Sequence, residues 1–524
     1  MPRLLWAAAT AAFAAASACN DQNWDAMWTA TLPQVSGLTM SDPQDRLLPG
    51  WLNGTFVRNG VGQLQVGERT YTHAFDGFAG IASIAVAGGA AVLDSKVLAS
   101  EAYTLSVEAG TIVPHQTLGA VSPPWNVSER MDIISGPVDN MPVNTRRSST
   151  VEGELEALTD VNGAVHFDAA TLDVTASDAL SACLYSTAHP ILASDGTTYN
   201  YVGCPATKSL SIRAERDGEM TVVGDVVGVD FVPYIHSIAL TDNYAVLVAM
   251  PVSMPTGMKD LTSPLFQGMD WMGDTHNATV YVFPRDPNAA VHRKRRGGVD
   301  TARPLAPVAT FDVPAFVFYH IVNGYEDPDQ DGTVVLDVAG YGNPNSLLVP
   351  GFGDMATMLN ATARDALLPT AELFRYTLPV ASGGGHVAPR VLQATDPTGV
   401  QRPYEMPRMD PRRVSKPYNF VYGYTTFADP QGVCFSAFAI VKHDLAKETA
   451  LVWQTANHYP GEAVFVPRPG GTAEDDGVLL SIVLDGTKGT SYLLALDAAT
   501  MEEVATLYTD GMIPVSFHSN WFGN

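Results

Sequence analysis

Positive charge is scarce in this chain of 524 residues, where 30 Lys and Arg stand against 55 Asp and Glu for a formal net charge of −25. Nucleic acid is therefore not an expected partner, since binding it needs clustered positive charge to release counter-ions. Charged residues of both signs reach only 16%, against 46% hydrophobic residues. That balance excludes global disorder and supports a large core. Cysteine is rare as well. Beyond the first few tens of residues, Cys183, Cys204 and Cys434 form an odd set without CxxC spacing, which argues against both a disulfide framework and a thiolate zinc site. After the N-terminal segment, no stretch offers the roughly 18 clean apolar residues that a membrane-spanning helix needs. Helical periodicity is scarce too. Its best example runs from Asp354 to Leu368, with Met355, Met358, Leu359, Ala363 and Leu367 near 3.6-residue spacing, and is expected outside the β core. No strict repeat is visible.

What is present points to many short strands. Gly (45) and Pro (36) are spread along the chain, and Asp-Gly or Asn-Gly pairs begin at Asp76, Asp195, Asp217, Asp331, Asp476, Asp485, Asp510, Asn53, Asn59, Asn162 and Asn323. Such pairs favour type I′ hairpin turns, in which both central residues need positive φ. At the N-terminus Arg3 precedes an apolar run from Leu4 to Ala18 that ends in Ala16-Ser17-Ala18. This reads as an export signal over residues 1–18, cut before Cys19, with a lipoprotein cysteine as the alternative. Residues 19–44 read as an N-terminal extension. Arg293-Lys294-Arg295-Arg296 reads as a solvated loop, with a processing site as the alternative. Asn53, Asn126, Asn277 and Asn360 each open an N-x-S/T sequon.

Four of the 12 histidines sit inside apolar, β-type runs: His189 in CLYSTAHPIL, His236 in FVPYIHSIAL, His320 in FVFYHIVNGYE and His518 in IPVSFHSNWF. Each taken alone is an ordinary core histidine with satisfied nitrogens. Their separations of 47, 84 and 198 residues exclude a short helical motif. They can converge only if their strands meet at one axis, as the inner strands of propeller blades do. An all-imidazole shell suits iron, copper or zinc rather than calcium or magnesium.

The same strings resemble the carotenoid cleavage oxygenase family, which includes the retinal-pigment-epithelium retinoid isomerase. WLNGTFVRNGVGQ from Trp51, HAFDG at His73, HSIALTDNYAV at His236, HIVNGYED at His320, KPYNFVYG from Lys416, GEAVFVPRPG from Gly461, EDDGVLLSIVLDG from Glu474, LLALDAATMEEVA from Leu493 and IPVSFH ending at His518 carry the resemblance in order. It implies an all-β, seven-bladed β-propeller over residues 45–524 with a helical and loop cap over one face. It also implies one Fe(2+) per chain, held by His189, His236, His320 and His518. Three acids that accept hydrogen bonds from ligand imidazoles fall on Glu405, Glu462 and Asp160; the last is a methylene shorter than the family's glutamate. Val143 falls where many microbial and plant members place a threonine beside the iron, with Thr145 close by. Ala74 replaces an aromatic.

The activity implied is cleavage of a conjugated double bond of a carotenoid or apocarotenoid by dioxygen, giving two carbonyl products, with no side-chain acid or nucleophile required. Phe231, Phe318, Tyr319, Phe517 and Trp521 flank the histidines as candidates to line a substrate tunnel. A stilbene-cleaving member, with Tyr103 as a phenol anchor, and a retinoid isomerohydrolase are the alternatives within the family. A propeller that only binds apolar ligands is the alternative outside catalysis. A substrate stored in lipid implies peripheral membrane association, through exposed apolar residues in Met258–Met272 and Leu347–Leu367. The leader implies export, whether to the outside, an endomembrane lumen or onward to an organelle.

Overall fold

The computed structural model describes residues 19, 21–178, 183–255, 262–285, 306–343, 351–367, 371–429 and 432–523. The leader 1–18 and the Arg293–Arg296 stretch lie outside the described residues. Among those described, the chain folds almost entirely into antiparallel sheets, seven of them with four or five strands. In chain order, the second to seventh sheets use residues 144–177, 185–227, 239–313 with Gly384–His386, 317–392, 405–453 and 458–508.

The first sheet draws on both ends of the chain. Val35–Met40, Phe78–Ala87 and Ala90–Val97 join Gly54–Gln63, which pairs on its other edge with the last strand, Ser516–Gly523. The 19–44 segment is thus built into the fold: its helix Trp24–Thr29 buries Trp24 and Trp28, and its strand extends this sheet. Each sheet meets the next in chain order, and the seventh meets the first. Central strands such as Thr333–Tyr341 and Gly477–Asp485 are covered on both faces. This is why they read as near-continuous β-branched and leucine runs rather than as alternating ones.

The turn signals divide. Asp217 and Gly218 both take positive φ between Ser209–Arg216 and Glu219–Val227, as a type I′ turn requires. Asn59-Gly60 and Asn323-Gly324 instead lie in mid-strand. There the asparagine amide braces one sheet to the next: Asn59 donates to the Met141 and Asn144 carbonyls, and Asn323 to those of Arg413 and Lys416. Gly60 is required by close approach, because a Cβ there would sit 2.7 Å from the Val515 carbonyl oxygen.

Two expectations change. The cysteines pair as Cys19–Cys434 and Cys183–Cys204; the odd count failed because a cut before Cys19 leaves that residue in the chain. The helical stretch is two short helices, Met355–Met358 and Ala361–Arg364, because Asn360 leaves the helix to cap the second one, accepting from the Ala363 N–H. Leu368 lies outside the described residues. Asn53, Asn126, Asn277 and Asn360 are all exposed.

Candidate metal centre

The structure brings the four histidines together: one ring nitrogen of each lies within 4.8 Å of those of the other three. His320 and His518 are on strands Val317–Glu326 and Ser516–Gly523. His189 and His236 sit in extended segments just before strands rather than within them. His189 Nε2 is 3.0 Å from His236 Nε2, and His320 Nε2 is 3.3 Å from His518 Nε2.

The opposite ring nitrogens decide what lies between them. His236 Nδ1 is 2.7 Å from Asp160 Oδ2, His320 Nδ1 is 2.6 Å from Glu405 Oε2, and His518 Nδ1 is 3.0 Å from Glu462 Oε1. A carboxylate only accepts, so each Nδ1 carries the proton and each Nε2 turns a lone pair toward the centre. Converging lone pairs with no hydrogen between them repel one another unless a cation sits among them. The donor set therefore fits a soft-to-borderline transition metal. Among the described residues, His189 is the one of the four with no carboxylate on its ring. Burial holds the His518 imidazole down at about 4, and burial with the neighbouring rings holds His189 well below the ordinary range, so both are neutral donors at neutral pH.

Each acid is itself held by several groups. Asp160 Oδ2 also accepts from the Tyr234 hydroxyl at 2.8 Å, while its Oδ1 accepts from the Ala188 N–H. Glu405 accepts from the Tyr341 hydroxyl at 2.8 Å and the Met406 N–H. Glu462 is gripped by both forks of Arg408, at 2.8 and 2.9 Å, and by the Ser519 N–H. Burial alone would raise the Glu462 carboxyl, yet Arg408 and His518 hold it well below the usual carboxylate range. Sequence reasoning missed Tyr234, Tyr341 and Arg408. Position was the available signal for two of them: Tyr234 is two residues before His236, and Arg408 three after Glu405.

His236, His320 and His518, but not His189, line a cavity of about 580 Å³ whose wall is mostly apolar, with Phe75, Leu265, Phe266, Phe352, Phe435 and Met269 among its residues. Of the flanking aromatics, Tyr319 and Phe517 line it, whereas Phe231, Phe318 and Trp521 do not. Phe318 is turned into the core, and Trp521 packs beneath the first sheet. Val143 is on the wall and Thr145 is not, and the Val143 carbonyl accepts from the His518 N–H. Tyr103 is off the wall, donating to Gln63 Oε1. In Met258–Met272 Leu265, Phe266 and Met269 face the cavity while Trp271 and Met272 are half-buried away from it, and in Leu347–Leu367 Phe352 and Leu367 face the cavity while Leu359 is exposed. Residues 258–261 and 347–350 lie outside the described residues. Exposed apolar side chains cluster elsewhere at the cavity mouth: Val127, Met131 and Ile134 on the turn-spaced face of residues 127–134, next to wall residues Ile133, Pro137 and Val138.

Comparison with known proteins gives the context of this geometry. The family model described as retinal pigment epithelial membrane protein matches residues 46–523. The chain is 28% identical over 497 residues to carotenoid cleavage dioxygenase 8 homolog A of Oryza sativa subsp. japonica, covering 91% of this chain and 84% of that one. It is 26% identical over 516 residues to the beta,beta-carotene 15,15'-dioxygenase of Mus musculus, covering 90% and 87%. The solved structure of a mutant Synechocystis apocarotenoid oxygenase superposes with a TM-score of 0.78 at 24% identity over 97% of this chain and 99% of that chain. Fold, a converging four-histidine site with its three acids, and a family match over nearly the whole length agree, and the chain belongs to the retinal pigment epithelial membrane protein family of carotenoid cleavage oxygenases.

Proposed function

We propose that the protein is an iron(II)-dependent dioxygenase that cleaves a conjugated double bond of a carotenoid or apocarotenoid, placing one oxygen atom in each of two carbonyl products. The observation that carries this reading is the convergence of four imidazoles, three of them with a carboxylate on Nδ1, beside a large apolar cavity whose wall includes His236, His320 and His518. His189, His236, His320 and His518 would hold one ferrous ion, which supplies the redox chemistry toward dioxygen. The remaining work belongs to the chain. Asp160, Glu405 and Glu462 fix the tautomer and direction of three rings. Phe75, Phe517 and Tyr319 would hold a polyene beside the histidines and keep water out. With imidazole ligands and a mostly apolar wall, no side chain is needed as acid or nucleophile.

The same reading takes the seven sheets as blades of one propeller that begins with Val35–Met40 rather than at residue 45, the ring closed by pairing of Gly54–Gln63 with Ser516–Gly523. The helices Glu101–Ala109, Val127–Asp132, Met355–Met358 and Ala361–Arg364 would cap the face that carries the cavity. Its lipid-facing rim is Val127, Met131 and Ile134. Export through residues 1–18 is supported by two disulfides, which persist in oxidising compartments. The stilbene alternative loses its support because its phenol anchor Tyr103 is off the cavity wall.

The test is incubation of the iron-loaded protein with a panel of carotenoids, apocarotenoids, retinyl esters and stilbenes under isotopically labelled dioxygen. Labelled carbonyl products from a polyene are expected. Cleavage of stilbenes alone, or isomerised retinoid without label, replaces this reading.

A further inference from the structure

Five tyrosines line the cavity, and they are of two kinds. Tyr185, Tyr234 and Tyr341 donate to protein acceptors: the Pro255 carbonyl at 2.6 Å, and Asp160 Oδ2 and Glu405 Oε1 at 2.8 Å. Tyr319 and Tyr424 do not. Among the described residues neither of these two hydroxyls has a hydrogen-bond partner, and neither is sealed inside the wall.

Both free phenols adjoin the metal centre. Tyr319 precedes His320, and its ring stands edge-on to the His236 ring with centroids 5.4 Å apart. Tyr424 is paired with Glu405 across the strands Glu405–Arg408 and Phe420–Thr425. Directly opposed residues share one face of a sheet, so the Tyr424 side chain points the same way as the carboxylate that braces His320. Thr426, two residues on and also on the wall, has a third hydroxyl without a partner.

A phenol stays protonated at neutral pH and is a ready donor. Water can meet such a donor in an open cavity, but a hydrocarbon polyene that expels the water leaves the O–H unpaired, which is costly. A polyene with an oxygen atom at that point replaces the water instead. A wall made only for hydrocarbon has no use for these hydroxyls, and Phe75, Phe352, Phe435 and Phe517 supply plain rings elsewhere on it.

We infer that Tyr319 and Tyr424 form a hydrogen-bonding subsite for an oxygen atom borne by the polyene, so that the preferred substrate is an oxygen-bearing apocarotenoid rather than a hydrocarbon carotene. The inference rests on the dioxygenase reading above and chooses between the two substrate classes that it names. Because both phenols adjoin the centre, the oxygenated end lies on the short side of the bond that is cut.

The test uses iron-loaded protein kept free of oxygen, so that binding is read without turnover. A graded series of apocarotenals is compared with hydrocarbon polyenes of the same conjugated length. The unaltered protein should bind at least one aldehyde roughly tenfold more tightly than its hydrocarbon match, and Tyr319→Phe and Tyr424→Phe, which keep the rings, should each reduce that preference about threefold or more. The carbonyl stretching band of the bound aldehyde, lowered by hydrogen bonding, should move back toward its free position in each variant. A preference absent from the unaltered protein, or one that survives both substitutions, overturns the subsite and leaves the dioxygenase reading intact. A preference that depends on both phenols, without labelled carbonyl products once labelled dioxygen is admitted, supports the subsite and overturns the dioxygenase reading.

Discussion

Asp160 Oδ2 lies 2.7 Å from His236 Nδ1, so the shorter acid spans the gap to its imidazole directly. The same oxygen takes the Tyr234 hydroxyl, and the other takes the Ala188 N–H. In Asp160→Asn one of these donors must face an NH₂ group. The variant should bind iron about 10- to 100-fold more weakly, as loss of a ligand's hydrogen-bond partner typically costs. Asp160→Glu should not improve on the aspartate, because the aspartate already reaches the imidazole directly at 2.7 Å. Iron titration of both variants checks this; tighter binding by the glutamate would refute it.

Glu462 joins His518 to Arg408. Glu462→Gln keeps the shape, removes the charge that Arg408 faces, and replaces one acceptor with a donor. Iron retention should fall roughly 10- to 100-fold. Arg408→Met should weaken retention less, since the carboxylate still accepts from His518 and the Ser519 N–H. Equal retention by the Glu462→Gln variant and the unaltered protein would remove this role.

These three acids show where legibility in the sequence ends. The histidines were readable because each stands in an apolar string, and the acids because their strings match a family. Tyr234, Tyr341 and Arg408 carry no such mark: what they touch depends on how neighbouring sheets meet. Asn59 and Asn323 were misread for the same reason, since an Asn-Gly pair looks like a turn until the next sheet supplies the carbonyls that its amide braces. The many-stranded class was legible from glycine, proline and β-branched runs. The pairing of Cys19 with Cys434, across 415 residues, was not.

His443 provides a pH test remote from the metal ligands. Its ring is buried edge-on to Tyr404, with Nε2 2.6 Å from the Arg402 carbonyl, and burial lowers its pKa to about 4. Below its ordinary value near 6.5 the unfolded chain takes up a proton that the native state does not. Stability from this group is therefore present above about pH 6.5 and is lost as pH falls toward 4, at up to about 1.4 kcal/mol per pH unit. Urea unfolding of His443→Gln, whose side chain can still donate to Arg402, should show a slope against pH shallower by about that amount. An unchanged slope would contradict the assignment.

Attachment to lipid should rest on apolar insertion, because a net charge of −25 disfavours anionic surfaces. Neutral vesicles should co-sediment with the protein at high salt, and Val127→Ser with Met131→Ser should release it. Binding indifferent to both changes would move the entrance away from residues 127–134.

The central claim is that His189, His236, His320 and His518 hold one iron. Diffraction from iron-loaded crystals on either side of the iron absorption edge tests it most directly. The account predicts a single anomalous peak, bounded by four Nε2 atoms at roughly 2.0–2.3 Å, close to ordinary metal–imidazole lengths. A peak elsewhere, or one that leaves any of the four histidines beyond coordination distance, would contradict it.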